Sequence, residues 1–214
     1  MSVVEPPHDC ALCARLVDFR KANRAAFPSF HNGPVRAFGS PAARLLVVGL
    51  APGLKGANQT GRPFTGDYAG DLLYQTFLKF GFAKGAYGRH AGDGLRLIDC
   101  RVTNAVRCVP PENKPTGAEA KNCRPFLAGE IAAMQNLSVI LCLGILSHGA
   151  VLTTLGARKA LHPFRHGALH DLGSLTVADS YHCSRYNTNT GRLTEAMFED
   201  VFAGIRGRLA AFPQ

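Results

Sequence analysis

The apolar positions along this chain gather into short runs separated by polar, glycine-rich segments. Residues 44–49 (RLLVVG) are an apolar run closed by glycine, which predicts a buried strand. Residues 68–80 place Leu72, Leu73, Phe77 and Phe80 at helical spacing and stop at Gly81, which predicts a helix. A second strand is predicted over 95–106, with polar residues at its end. Thr116 and Glu119 have the spacing of a capping box, so a helix is predicted from there to about Gln135. A third strand over 138–143, a helix over 145–155, a fourth strand over 174–180 and an amphipathic helix over 193–212 complete the pattern. The first forty residues read as irregular. Strands alternating with helices predict a three-layer α/β/α sandwich around a mainly parallel, four-stranded sheet. Ligands of such sheets collect at the carboxyl ends of the strands, where every polar motif below falls.

The length of 214 residues suits a single domain over 1–214, large enough to bury a core without disulfides. With 46% hydrophobic and 18% charged residues the chain is not a disordered one. The longest apolar stretch, 137–146, is about half the roughly 20 residues of a membrane-spanning helix. The amino terminus has neither a basic start nor an apolar segment, so a cytoplasmic protein without membrane attachment is expected. The 24 Lys and Arg against 15 Asp and Glu give a net charge of +9, compatible with a polyanionic partner or with a merely basic soluble protein. No repeat or heptad pattern suggests an oligomer, and a monomer is expected.

Seven cysteines in a chain without an export signal suggest metal ligation or buried thiols, not disulfides. Cys10 and Cys13 form a Cys-x-x-Cys, and Cys108 and Cys123 could complete a four-thiolate set. Structural zinc, an iron–sulfur cluster or four ordinary buried thiols all remain open on spacing alone. Cys100 and Cys142 fall within apolar strands and read as core. The zinc-deaminase signature, the Walker A loop and the dinucleotide glycine fingerprint are absent.

Three polar segments carry candidate chemistry. Residues 49–70 hold six glycines between a strand and a helix, so the backbone around Ala51 and Gly53 can approach a ligand closely. Phe64 there is either a stacking platform for a flat base or a core plug. Asp67 is either a helix N-cap or a carboxylate that stabilises positive charge and positions water. Residues 103–111 place Asn104 at a strand end, where its amide can read the edge of a pyrimidine or simply hold a turn. Residues 179–194 combine His182, a donor for a developing oxyanion, with Ser184, Arg185, Asn187 and Arg192, which suit phosphate contacts.

Taken in order, these segments resemble the iron–sulfur family five of the uracil-DNA glycosylase superfamily. The stretch Gly49-Leu50-Ala51-Pro52-Gly53-Leu54 resembles the first motif without the acidic residue of family four. Gly56-Ala57-Asn58-x-Thr60-Gly61-Arg62-x-Phe64-Thr65-Gly66-Asp67 resembles its extension, and Asn104-Ala105-Val106-Arg107-Cys108 resembles the segment with a base-facing Asn and a cluster cysteine. His182-Cys183-Ser184 resembles the His-Pro-Ser motif, with Cys183 in place of proline.

The resemblance implies a monofunctional glycosylase that flips uracil out of DNA and hydrolyses its N-glycosidic bond, leaving an abasic site. Hypoxanthine or xanthine are further substrates it suggests. It implies a [4Fe-4S] cluster on Cys10, Cys13, Cys108 and Cys123, with zinc the alternative, so the first forty residues bring half the ligands. Phe64 would stack on the base, Asn104 would read it, and His182 would stabilise the leaving group. Asp67 would stabilise the oxocarbenium-like sugar and orient water, or backbone amides near Ala51–Gly53 and the Asn58 side chain would hold the water. Ser184, Arg185, Asn187 and Arg192 would grip DNA. A prokaryotic, nucleoid-associated protein is implied. The alternative is a non-catalytic iron–sulfur or zinc module that binds damaged or single-stranded DNA.

Overall fold

The computed structural model describes residues 3–211. Four strands carry the middle of the sheet: β2 (Leu45–Gly49), β5 (Cys100–Asn104), β6 (Val139–Leu143) and β8 (Thr176–Ser180). Each is buried along its whole length, as parallel strands covered on both faces must be. They pair in parallel, β2 between β5 and β6, with β8 outside β6.

The sheet has six strands, not four. β1 (Phe38–Gly39) adds antiparallel to β5, and β7 (Leu169–Asp171) adds antiparallel to β8, giving the order β1-β5-β2-β6-β8-β7. These edge strands are two and three residues long and only partly buried, so they leave no apolar run in the sequence. The strand predicted over 95–106 is two pieces. Asp99 takes a positive φ of 50° and breaks it, sending β4 (Arg96–Leu97) to pair with β3 (Ala83–Lys84) in a separate two-stranded sheet. The Asp99 carboxylate at this break accepts hydrogen bonds from the backbone and guanidinium of Arg44, both at 2.8 Å.

Alternation along β2 divides the core. Leu45 and Val47 face α3 (Tyr68–Lys79) and α7 (Glu195–Ala210), in a cluster with Leu73, Phe77, Phe198 and Phe202. Leu46 and Val48 face α4 (Gly117–Ala133) and α5 (Ile145–Thr154), with Leu127, Val151 and Leu152. The predicted end of α7, Phe212, lies outside the described residues. The capping box closes the start of α4 in both directions: Glu119 N–H donates to Thr116 Oγ1 at 3.2 Å, and Thr116 N–H to Glu119 Oε2 at 2.7 Å.

The first forty residues are not wholly irregular. They contain α1 (Ala14–Ala26), whose buried positions are Leu16, Arg20 and Asn23. Two of those three are polar, so the helix shows no apolar stripe. It docks through a small cluster of Leu16, Val106 and Cys123, and through Arg15, whose guanidinium reaches both Glu119 oxygens at 2.8 Å. Two short helices, α2 (Ala57–Thr60) and α6 (Arg185–Asn189), sit in the loops after β2 and β8. Among the described residues no helix is long and apolar enough to cross a membrane.

Candidate active site

The loops after β2, β5 and β8 leave the same end of the sheet and meet around a cleft of about 670 Å³. Ala51, Gly53, Phe64, Asp67, Asn104, His182, Ser184 and Arg185 line it, so the structure brings together eight of the residues singled out in sequence.

Asn104 ends β5 and sits beside Gly49, its register partner on β2. A Cβ on Gly49 would lie 2.4 Å from Asn104 Oδ1 and 2.5 Å from Phe64 Cζ, so only glycine leaves room for the two side chains. Phe64 itself has φ of 50°, a conformation non-glycine residues seldom adopt. Its backbone carbonyl lies against Gly70, where a Cβ would come within 1.8 Å of it. The residue is 7% exposed; it belongs to the core cluster and also lines the cleft.

Asp67 is the N-cap of α3, and Oδ1 accepts from Gly70 N–H at 3.3 Å. Oδ2 turns the other way, towards Gly53 and Gly56; a Cβ at Gly56 would be 2.3 Å from it. One carboxylate therefore caps a helix and presents an oxygen to the glycine loop. Burial, with help from the nearby Asp71 charge, holds its pKa above the usual carboxylate value against the lowering effect of the Gly70 hydrogen bond.

His182 follows β8, with its ring centroid 6.0 Å from that of Phe64. Burial pushes its pKa down to about 4, so the imidazole is neutral near pH 7 and can donate one N–H to a ligand. The His182 carbonyl accepts from Asn187 Nδ2 at 2.8 Å, which fixes the turn where Cys183 stands. Cys183 is itself wholly buried. Ser184 caps α6 through Asn187 N–H at 3.4 Å.

Three predicted residues stand apart from the cleft lining. Asn58 is buried, and its amide donates to Asn32 Oδ1 at 2.9 Å. Asn32 in turn donates to the Phe27 carbonyl at 2.7 Å, so Asn58 pins the glycine loop to the end of α1. Asn187 and Arg192 line a neighbouring hollow that shares His182 and Leu50 with the cleft. Sequence reading passed over Tyr68, which lines the cleft with the Arg185 guanidinium 5.4 Å above its ring. It also passed over Lys55, whose position in the glycine loop was the available signal.

Next to the segment that follows β5, Cys10, Cys13, Cys108 and Cys123 all line one small apolar pocket with residues of α1 and α4. Donors face three of the four sulfurs. Arg20 Nη1 lies 3.9 Å from Cys108 Sγ, Asn122 Nδ2 3.6 Å from Cys13 Sγ, and Arg107 N–H 3.3 Å from Cys123 Sγ. Arg20 Nε is buried with no partner. Burial, reinforced by the neighbouring sulfurs, pushes the Cys108 thiol up to about 12. A second group, Cys142, His148 and Asp179, has ligand atoms within 4.8 Å of one another. Its hydrogen bonds are already made: Asp179 accepts from His148 Nδ1 at 2.7 Å and from His170 Nε2 at 2.9 Å, as a buried carboxylate in a core requires.

The family model of the uracil DNA glycosylase superfamily matches residues 36–206, which span all six sheet strands and the whole cleft. The chain belongs to that superfamily and, within it, to the type-5 group. It is 44% identical over 198 residues to a type-5 uracil-DNA glycosylase of Thermus thermophilus, covering 90% of each chain. It is 39% identical to a type-5 uracil-DNA glycosylase of Pyrobaculum aerophilum, over 90% of this chain and 86% of the other. A type-4 uracil-DNA glycosylase of Thermotoga maritima is 29% identical over 74% of each chain.

Proposed function

We propose that the chain is a monofunctional DNA glycosylase, acting as a monomer in the prokaryotic cytoplasm, that excises uracil from DNA by hydrolysis. The observation that carries this reading is the meeting of Phe64, Asn104, Asp67 and His182 in one cleft from three separate loops. A flipped base fits between the Phe64 ring and the cleft wall, with the Asn104 amide offering a donor and an acceptor to its edge. Neutral His182 donates to a base carbonyl as negative charge builds on the departing ring. Asp67 Oδ2, beside Gly53 and Gly56, stabilises the cationic sugar and holds the attacking water, with the backbone at Ala51 and Gly53 as its frame. Asn58 acts from behind by fixing that loop. Ser184, Arg185, Asn187 and Arg192 meet the DNA backbone on the outer side of His182. The cleft's volume has room for a purine, so hypoxanthine and xanthine are further substrates.

The four-cysteine pocket fits an iron–sulfur cluster. Three donors aimed at sulfur and a buried, unpartnered Arg20 Nε suit an electron-rich, anionic centre in an apolar pocket. A single zinc is a poorer fit, because Zn–S bonds of about 2.3 Å demand sulfurs roughly 4 Å apart. Among the described residues, none of the four belongs to a trio of ligand atoms within 4.8 Å. Cys10, Cys13, Cys108 and Cys123 would hold the cluster, which would brace α1 against the loop that follows Asn104.

The test is cleavage of labelled duplexes carrying uracil opposite guanine, uracil opposite adenine, or hypoxanthine, without added metal and followed by alkali. Alkali-dependent scission at the lesion is expected. Binding without scission on all three would replace this reading by that of a damage-binding module.

A further inference from the structure

Beside the active-site cleft lies a hollow of about 280 Å³ whose apolar residues, Leu143, Ile145, Leu146, Phe164 and Tyr181, the glycosylase reading does not use. Cleft and hollow share Leu50 and His182, so the two are contiguous. Its apolar lining is Leu50, Leu143, Ile145, Leu146, Phe164 and Tyr181. Ile145 and Leu146 open α5 and are each 63% exposed, adjacent large apolar residues that the fold leaves uncovered.

The polar edge is a cation without a counter-charge. The Arg192 guanidinium lies 4.6 Å from the centroid of the Tyr181 ring, and among the described residues it has no carboxylate partner. Tyr181 is stacked in turn on His166, with centroids 4.9 Å apart and planes 13° from parallel. Arg192 is thus held by stacking, with its N–H donors uncommitted. A largely apolar hollow continuous with the cleft and edged by such an arginine matches the chemistry of a nucleotide: a base with two π-faces joined to a phosphate.

We propose that this hollow is a subsite for the nucleotide adjacent to the flipped one on the same strand. Its base lies against Ile145, Leu146 and Phe164, and its phosphate meets Arg192. This rests on the glycosylase reading for the occupant of the main cleft. The consequence is that the protein senses the presence of a base on one side of the lesion only.

The experiment measures binding of single-stranded oligonucleotides by fluorescence anisotropy. Each carries 2′-fluorodeoxyuridine, which resists hydrolysis, and a tetrahydrofuran residue replaces the base on its 5′ or its 3′ side. Stacking of one base supports an effect of about tenfold. Wild-type protein should lose about that factor with tetrahydrofuran on one side and nothing on the other. I145S/L146S, which keeps Phe164, should bind the intact strand more weakly and lose a smaller factor than wild type when tetrahydrofuran is placed on the sensitive side. Wild-type binding insensitive on both sides, or an equal loss in wild type and I145S/L146S, would overturn the proposal. Cleavage of ordinary deoxyuridine strands, run in parallel, separates the two readings. Cleavage without a neighbour effect sinks the subsite alone; a one-sided neighbour effect without cleavage supports the subsite and sinks the glycosylase reading.

Discussion

Gly49 and Asn104 face each other in register across β2 and β5, and the space a side chain on Gly49 would fill is taken by Asn104 Oδ1. A backbone position with no side chain is thus what lets the Asn104 amide and the Phe64 ring share one wall of the cleft.

Replacing that hydrogen by a methyl group tests the arrangement. In Gly49→Ala the new Cβ would stand 2.4 Å from Oδ1 and 2.5 Å from the Phe64 ring, so both must move. Overpacking of this kind costs about 1–3 kcal/mol, which a domain of this size survives. The expected outcome is a folded protein whose single-turnover uracil cleavage falls at least tenfold. Unchanged cleavage would show that neither side chain needs its present place.

Asp67→Asn separates the helix cap from the proposed catalytic duty of this side chain. Asparagine caps helices as well as aspartate does, so the start of α3 should hold and thermal stability should change little. The charge facing the glycine loop is lost. Cleavage should drop by about 10²–10³-fold, the usual cost of one preorganised electrostatic contact, while lesion binding persists. Parallel loss of binding and cleavage would count against a catalytic duty.

The acid side of the pH profile follows from two buried groups that shift in opposite directions. His182 titrates near 4 in the fold against 6.5 in the unfolded chain, so between those values the unfolded state binds more protons. His182 therefore contributes a loss of stability as pH falls from about 6.5 towards 4, and nothing above. Asp67 is raised above 3.8, so the anion that the proposed mechanism needs is lost at a higher pH than an ordinary carboxylate would be. Cleavage should show no histidine step at pH 6.5, and its decline on the acid side should begin at a higher pH than an ordinary carboxylate would set. Proton NMR of the His182 ring should show a midpoint near 4; one above 6 would mean that the imidazole is not desolvated.

The middle of the sheet was legible because strands buried on both faces are unbroken apolar runs. The edges were not: Phe38–Gly39 and Leu169–Asp171 are too short and too exposed to leave a pattern. α1 stayed hidden because Arg20 and Asn23 occupy positions where a helix normally shows apolar residues. At the site, the glycine loop, Asn104 and His182 could be recognised as linear motifs. The tyrosines that carry the arginines could not. Tyr68 sits far along the chain from Arg185, and Tyr181 is eleven residues from Arg192, so only the fold reveals each pair.

A buried ion network behind the site gives a stability prediction. Glu130 is fully buried on α4, and its carboxylate accepts from Arg101 Nε at 2.6 Å and from Arg107 Nη2. Arg107 also reaches Glu5 at 3.2 Å, tying the amino-terminal segment to the loop between Asn104 and Cys108. Removing the shared carboxylate leaves two buried guanidinium groups with Glu5, at 3.5 Å from Arg101 and 3.2 Å from Arg107, as their one carboxylate among the described residues. Glu130→Ala should cost about 3–5 kcal/mol in chemical denaturation, far beyond a typical surface change. A loss below 1 kcal/mol would show that Glu5 or water takes over.

The cysteine pocket yields the last prediction. Protein purified without oxygen should be brown and contain iron and acid-labile sulfide. In Cys108→Ser the weaker ligand should bleach the colour, and the loop joining Asn104 to Cys108 should loosen, which lowers both thermal stability and cleavage. Arg20→Met tests the surroundings separately, since it keeps all four sulfurs and removes the donor 3.9 Å from Cys108 Sγ. Hydrogen bonds to sulfur ease reduction of a cluster, so this variant should keep its iron but show a more negative reduction potential. A colourless wild-type protein with one zinc per chain would refute the cluster, and a potential unmoved in Arg20→Met would show that Arg20 serves packing alone.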